Sequence, residues 1–263
     1  MFGGFTKTDW GFVLQHSMKE RKKVLITGAA GRIGRCLRVH LKDRYRLRLM
    51  FHLKVLPVEE DEEAVIADLC DLEQMLKVCE GVDAVVHMGG LAGGGDFPGR
   101  LVPINIVGTY NVFEAARQQG VRKVVFASTN HVTGYYEKEG VYTTPDMPVR
   151  PDSTYGVSKA AGEALARYYV DAFGMSIHCL RIGSFLGGEP PKGHGVRSLS
   201  TWISPRDMAQ LVWRCIESDL PFGIFYGISD NTRKYWDITN ARELLGYAPE
   251  DDAEEYADEV EGA

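Results

Sequence analysis

Val24-Leu25-Ile26-Thr27-Gly28-Ala29-Ala30-Gly31-Arg32-Ile33-Gly34 joins an apolar run to a glycine-spaced turn. The first four residues are apolar or β-branched throughout, as a parallel strand buried on both faces requires. A helical pattern follows, through Asp43. Strand, glycine turn and helix in that order are the context in which such a turn binds a dinucleotide. Gly28 allows the tight turn, Gly31 lets a pyrophosphate approach the backbone, and Gly34 lets helix and strand pack closely. The helix amino end then favours the anion.

The pattern repeats outward along the chain. Strands are expected at Tyr45–Phe51, Ala64–Ala67, Asp83–Met88 and Val124–Ala127, with a helix over Asp71–Glu80 and a long one from Pro103 to Gln119. This alternation predicts an α/β fold of the Rossmann type, a doubly wound parallel sheet with helices on both faces. Gly93-Gly94-Gly95 reads as a loop able to gate the cleft. Beyond Gly183 come a loop over Leu186–His194, a helix over Pro205–Glu217, a strand over Phe222–Ile228 and a short helix over Trp236–Leu245. Three regions are therefore expected. Residues 1–21 form an N-terminal extension and residues 22–182 the dinucleotide-binding core. Residues 183–263 form a small substrate-capping region interleaved with that core, ending in an acidic tail.

Tyr155-Gly156-Val157-Ser158-Lys159 carries the chemistry. Four residues are about one helical turn, so Tyr155 and Lys159 share a face. An ammonium beside a phenol favours phenolate, and a tyrosine so tuned acts as a base near neutral pH.

After the fifth strand stands Ser128-Thr129-Asn130-His131-Val132-Thr133-Gly134. With the glycine turn and Tyr155-x-x-x-Lys159, this order of motifs resembles the extended short-chain dehydrogenase/reductase superfamily, over residues 22 to 250. In its UDP-galactose 4-epimerase-like members a serine or threonine lies five residues before the strand-end glycine. Thr129 lies five before Gly134 and takes that role by resemblance, donating a hydrogen bond to the reacting oxygen. Lys159 would also bind the nicotinamide ribose. The resemblance implies a cofactor cleft formed by Gly28, Gly31, Arg32, Ile33 and Gly34, then Asp68 and Leu69, then Met88, Gly89 and Gly90, with Ala127, Tyr155, Lys159 and Ile182 completing it.

The chain is also similar to uronate dehydrogenases. These have F-A-S-S-N-H-x-x-G, Y-G-V-S-K, R-I-G-S and L-S-T-W; here stand Phe126-Ala127-Ser128-Thr129-Asn130-His131, Arg181-Ile182-Gly183-Ser184 and Leu199-Ser200-Thr201-Trp202. That likeness implies that Thr129, Asn130, His131, Ser184 and Arg197 face a sugar, with the Arg197 fork on its carboxylate. It departs at Ala92, where uronate dehydrogenases carry a substrate-contacting serine. The segments Tyr226–Asn231 and Arg233–Trp236 look more like haloarchaeal glucose-6-phosphate dehydrogenases. The implied reaction is NAD- or NADP-dependent oxidation of a sugar or sugar acid at C1 to the lactone. Alternatives are an NDP-sugar epimerase or dehydratase, a cofactor-sensing protein without catalysis, and a reductase working in the opposite direction.

The cofactor expectation is NAD, with NADP not excluded. A strand-end acid that would hold the adenosine ribose is missing, and Phe51 and His52 occupy its place. Several other residues read as structural: His87, Trp202 and Trp236 as core, Arg206-Asp207 as a surface cap, and Asn105 as either a backbone clamp near the site or a proton relay.

Composition narrows the class. Net charge is −6, and Glu250 to Ala263 hold eight acids and no base, so the rest carries +2. A near-neutral body does not fit a nucleic-acid binder, and the tail reads as a solvated end. Five cysteines without a C-x-x-C fit a reducing cytoplasm better than a disulfide or metal framework. Met1–Ser17 lacks the basic start and apolar centre of a secretory leader, and Met18 is an alternative start. No stretch reaches the ~20 apolar residues of a membrane span. A cytoplasmic homo-oligomer acting on a small sugar is the expectation.

Overall fold

The computed structural model describes residues 21–262. All but the last of the residues read as an N-terminal extension lie outside that range.

The elements follow in order: β1 Lys23–Thr27, α1 Arg32–Leu41, β2 Arg46–Phe51, β3 Glu63–Ile66, α2 Leu72–Cys79, β4 Ala84–His87, α3 Gly108–Gln118, β5 Lys123–Thr129, α4 Gly134–Lys138, α5 Thr154–Phe173, β6 Ser176–Ile182, α6 Ser198–Thr201, α7 Pro205–Glu217, β7 Phe222–Gly227, α8 Thr239–Leu245 and α9 Ala257–Glu261. The strands form one parallel sheet in the order β3-β2-β1-β4-β5-β6-β7. Order reverses between β1 and β4, and this switch point opens a crevice at the strands' carboxyl ends.

Two apolar layers sandwich the sheet. One packs Leu37 and Leu41 of α1, Met208, Leu211 and Cys215 of α7 and Leu245 of α8 against one face. The other packs Met75 of α2, Val112 and Phe113 of α3 and Ala166 and Tyr169 of α5 against the opposite face. Residues beyond Gly183 thus supply the edge strand β7 and the large helix α7, besides segments over the site.

Three expectations need correction. The long helix begins at Phe97, six residues before Pro103. Asp96 caps it by accepting from Gly99 N–H at 3.1 Å. Residues Phe97–Val107 are wound as a π-helix; Pro103, lacking an N–H, sits inside it rather than at its start. The helix expected from Trp236 begins at Thr239, because the Asp237 side chain accepts from Thr239 N–H at 2.8 Å and Trp236 is bridged to Thr143.

The third concerns the carboxyl-terminal acids, which are docked rather than free. Arg206 grips Asp251 at 2.6 Å, Lys192 meets Glu259 at 2.6 Å, and Arg233 meets Glu254 at 2.7 Å. Val260 is buried against Leu199 and Trp202. Asp207, expected in a surface cap, is fully buried. It accepts from Ser229 Oγ at 2.6 Å and from the backbone N–H of Glu250 at 2.9 Å, which ties α7 to the tail.

Candidate functional site

Glycine chemistry builds the floor of the crevice. Gly28 has φ +68°, and a Cβ there would lie 2.8 Å from the Gly89 Cα. The ends of β1 and β4 therefore touch backbone to backbone. A Cβ on Gly34 would run into the Gly28 carbonyl. Thr27 Oγ1 accepts from Gly89 N–H at 3.0 Å and pairs with His87 Nδ1 at 2.7 Å. His87 is core, as read from the sequence: it is fully buried, stacked on Phe126, and burial pushes its imidazole down to about 3.

Above this floor lie two adjoining cavities of about 280 and 310 Å³, which share Gly28, Gly31, Met88, Gly90 and Leu91. The first also meets Arg32, Ile33, Gly34, Ala127, Thr129, Tyr155, Lys159 and Ile182, and the second Asp68, Leu69 and Gly89. Every residue expected to line a cofactor cleft is thus on its wall. The amino end of α1 has no side-chain cap on its first N–H groups, and Arg32, Ile33 and Gly34 face the cleft. Free donors at the positive end of a helix dipole fit a pyrophosphate. Leu91, Phe185 and Ile104 also line the cleft. Sequence reading missed them because a lone apolar residue, whether in a loop like Leu91 and Phe185 or on a helix like Ile104, reads as packing.

Asn105 resolves as the backbone clamp. Its side chain accepts from Leu91 N–H at 2.8 Å and donates to Leu91 O at 3.0 Å and to Ser158 Oγ at 3.0 Å. It thereby ties the loop after β4 to α5.

Tyr155 and Lys159 stand in the first turns of α5, which Ser153 caps by accepting from Gly156 N–H at 3.1 Å. The Lys159 Nζ is 6.0 Å from the Tyr155 ring centre and 4.9 Å from that of Phe126. Burial holds the Tyr155 phenol above its usual range, and a Thr129 hydrogen bond partly offsets this. The expectation that Lys159 would pull this phenol down is corrected. Desolvation dominates, and it also lowers the Lys159 ammonium to about 8.

Asn130, Ser184 and Arg197 converge. The Arg197 guanidinium donates to Ser184 Oγ and to Asn130 Oδ1, each at 3.3 Å. Asn130 Nδ2 is anchored on Ile182 O at 2.9 Å. His131 flanks the group, its ring centre 6.0 Å from that of Tyr155 and its Nδ1 2.9 Å from Asp152. A Cβ on Gly134 would collide with that same Asp152 carboxylate. Ala92 lies on the cavity wall.

In this structure Arg197 holds an internal carboxylate. Glu137 of α4 accepts from Arg197 Nε at 2.5 Å and Nη2 at 3.0 Å, and from the Tyr235 hydroxyl at 2.9 Å. Sixty residues separate the pair, and nothing in the local sequence links them. Among the described residues no cluster of His, Cys, Asp or Glu could hold a metal ion, and no helix is long and apolar enough to cross a membrane.

Residues 24–206 match the NAD dependent epimerase/dehydratase family. An NAD-dependent glucose-6-phosphate dehydrogenase of Haloferax volcanii is 39% identical over 90% of this chain and 97% of its own. A uronate dehydrogenase of Pseudomonas syringae pv. tomato is 38% identical over 91% of this chain and 86% of its own. The crystal structure of a mutant uronate dehydrogenase from Agrobacterium tumefaciens, complexed with NAD, superimposes with a TM-score of 0.85 at 37% identity, covering 92% of this chain and 89% of that one.

Proposed function

The chain belongs to the NAD dependent epimerase/dehydratase family, and from that premise we propose that it is an NAD-dependent sugar dehydrogenase, oxidising a sugar or sugar acid at C1 to the lactone. The observation that carries this reading is the convergence of Thr129, Tyr155 and Lys159 on one wall of the glycine cleft, with the Lys159 ammonium 6.0 Å from the centre of the Tyr155 ring. The relatives reported above, named as dehydrogenases of glucose 6-phosphate and uronates, support the reaction class.

Bound NAD supplies the acceptor for the C1 hydride. The chain supplies position and proton transfer. Gly28, Gly31 and the amino end of α1 would hold its pyrophosphate, and Asp68 and Leu69 would line the adenosine side. Tyr155 takes the proton from the C1 hydroxyl as the hydride leaves C1. Thr129 donates its one hydroxyl proton to the same C1 oxygen, orienting it toward the Tyr155 phenolate. Lys159, buried beside Gly90 and Tyr155, adds positive charge that favours the phenolate form of the base. Asn130, His131, Ser184 and Arg197 orient the sugar.

The same reading takes the chain as a cytoplasmic homo-oligomer. Tyr110 of α3 and Val157, Tyr168 and Phe173 of α5 are exposed apolar side chains suited to a second copy. A panel of aldoses, uronates and sugar phosphates tests the activity, each with NAD and NADP, followed at the absorbance of the reduced nicotinamide. Reduction with at least one sugar is expected; a silent panel would sink the proposal.

A further inference from the structure

We propose that Glu137 sets the substrate class. By occupying the Arg197 fork it leaves the Arg197 end of the sugar subsite without net positive charge, so the enzyme takes aldoses with no carboxylate at the carbon facing Arg197 and discriminates against uronates. This rests on the sugar-oxidation reading and deepens it.

The geometry is specific. A guanidinium has five N–H donors in a planar fork, and bidentate capture of a carboxylate needs two adjacent ones free. Arg197 spends Nε and Nη2 on Glu137, Nη2 again on Asn130, and Nη1 on Ser184. A single N–H remains, which serves a hydroxyl and cannot form a fork. Glu137 is held from two sides, because Tyr235, beside buried Trp236, donates to the oxygen that Arg197 Nε also meets. Arg197 lies over the Trp236 ring, 5.7 Å from its centre, which fixes the plane of the guanidinium. The two Glu137 bonds raise the Arg197 pKa, so the guanidinium keeps its charge.

A uronate entering here would bring a second carboxylate against Glu137, and like charges at such a distance repel strongly in a half-buried site. A sugar hydroxyl suffers no such repulsion. It accepts from the remaining Arg197 N–H and donates to Glu137. Of the other ionisable groups nearby, Asp152 meets Lys138 at 3.8 Å and His131 at 2.9 Å, while Lys159 stands at the Tyr155 end of the cleft.

The test compares kcat/KM with NAD for galacturonate and glucuronate against galactose, glucose and their 6-phosphates, in the wild type and in Glu137→Gln and Glu137→Ala. The wild type is expected to favour an aldose, free or phosphorylated, over either uronate. Both substitutions are expected to move the uronate-to-aldose ratio at least tenfold toward the uronate, by freeing the fork. A purely structural role for Glu137 would lower turnover with all sugars and leave that ratio unmoved. A wild type that prefers uronates, or a ratio unchanged in both variants, overturns the proposal. Should no sugar of any class reduce NAD, the underlying reading fails instead, so the two failures are told apart.

Discussion

The Lys159 ammonium sits 6.0 Å from the centre of the Tyr155 ring, one helical turn along α5 and sealed from solvent. Among the described residues no carboxylate pairs with it, and desolvation alone accounts for its fall from 10.5 to about 8. A buried cation without a counter-ion costs stability. Lys159→Met should therefore stabilise the fold while reducing turnover. The sign follows from proton counting. Between pH 8 and 10.5 the unfolded chain holds a proton that the folded one has released, so wild-type stability rises with pH through that window. The advantage of the variant should be full below pH 8, roughly 1–3 kcal/mol at ~1.4 kcal/mol per pKa unit, and should vanish above about pH 10.5. Thermal melts of both proteins at neutral and alkaline pH measure it. A variant less stable at neutral pH would show that Lys159 makes a favourable contact.

Tyr155→Phe removes one oxygen and keeps the ring. Turnover should fall ~10²–10⁴-fold with NAD affinity nearly unchanged, because only the base is lost. Thr129→Val removes the hydrogen bond that favours the phenolate, so the alkaline rise of kcat/KM should move to higher pH. Full activity in Tyr155→Phe would end the assignment of the base.

Arg181 of β6 donates to Glu163 of α5 at 3.0 and 2.9 Å, and Ser128 of β5 donates to the same carboxylate at 2.6 Å. The pair is 1% and 5% exposed and locks the catalytic helix onto the strand bearing Thr129. Glu163→Gln leaves Arg181 uncompensated and should cost about 3–5 kcal/mol in urea melts. Adding Arg181→Met should recover much of that loss, which a double-mutant cycle reads as coupling. Additive losses would mean the two side chains act independently.

At the adenosine ribose end the fold separates the two residues that stand in place of an acid. Phe51 is 2% exposed and packs in the core, so an acid there would be a buried charge. His52, the next residue, is solvent-exposed, lines the cavity and lies 3.9 Å from Asp68. With no acid at the strand end, NADP should serve within about tenfold of NAD, ~1.4 kcal/mol. His52→Asp should shift kcat/KM strongly toward NAD by accepting from the ribose hydroxyls and repelling a 2′-phosphate. A wild-type preference above about a hundredfold would point to another residue reading the ribose.

The sequence by itself determined the sheet, the glycine floor and the Tyr155–Lys159 pair. These rest on periods of two and 3.6 residues and on backbone space, both of which are local properties. Asn130, Ser184 and Arg197 were marked only by the resemblance of their motifs to those of uronate dehydrogenases, and the fold brings the three side chains into contact. What only the tertiary structure decided involves long-range pairing. Glu137 and Arg197 are sixty residues apart, and Asp207 accepts from Glu250 across 43 positions. The docked acidic tail follows the same logic, since a run of acids reads as solvated until folded basic partners are placed against it. The Tyr155 pKa reversed for a related reason. Spacing places an ammonium near a phenol, whereas the burial that raises the phenol pKa comes from cleft walls that the fold assembles from separate elements. Charge, burial and counter-charge compete at each of these positions, and the outcome depends on distances that the order of residues does not contain.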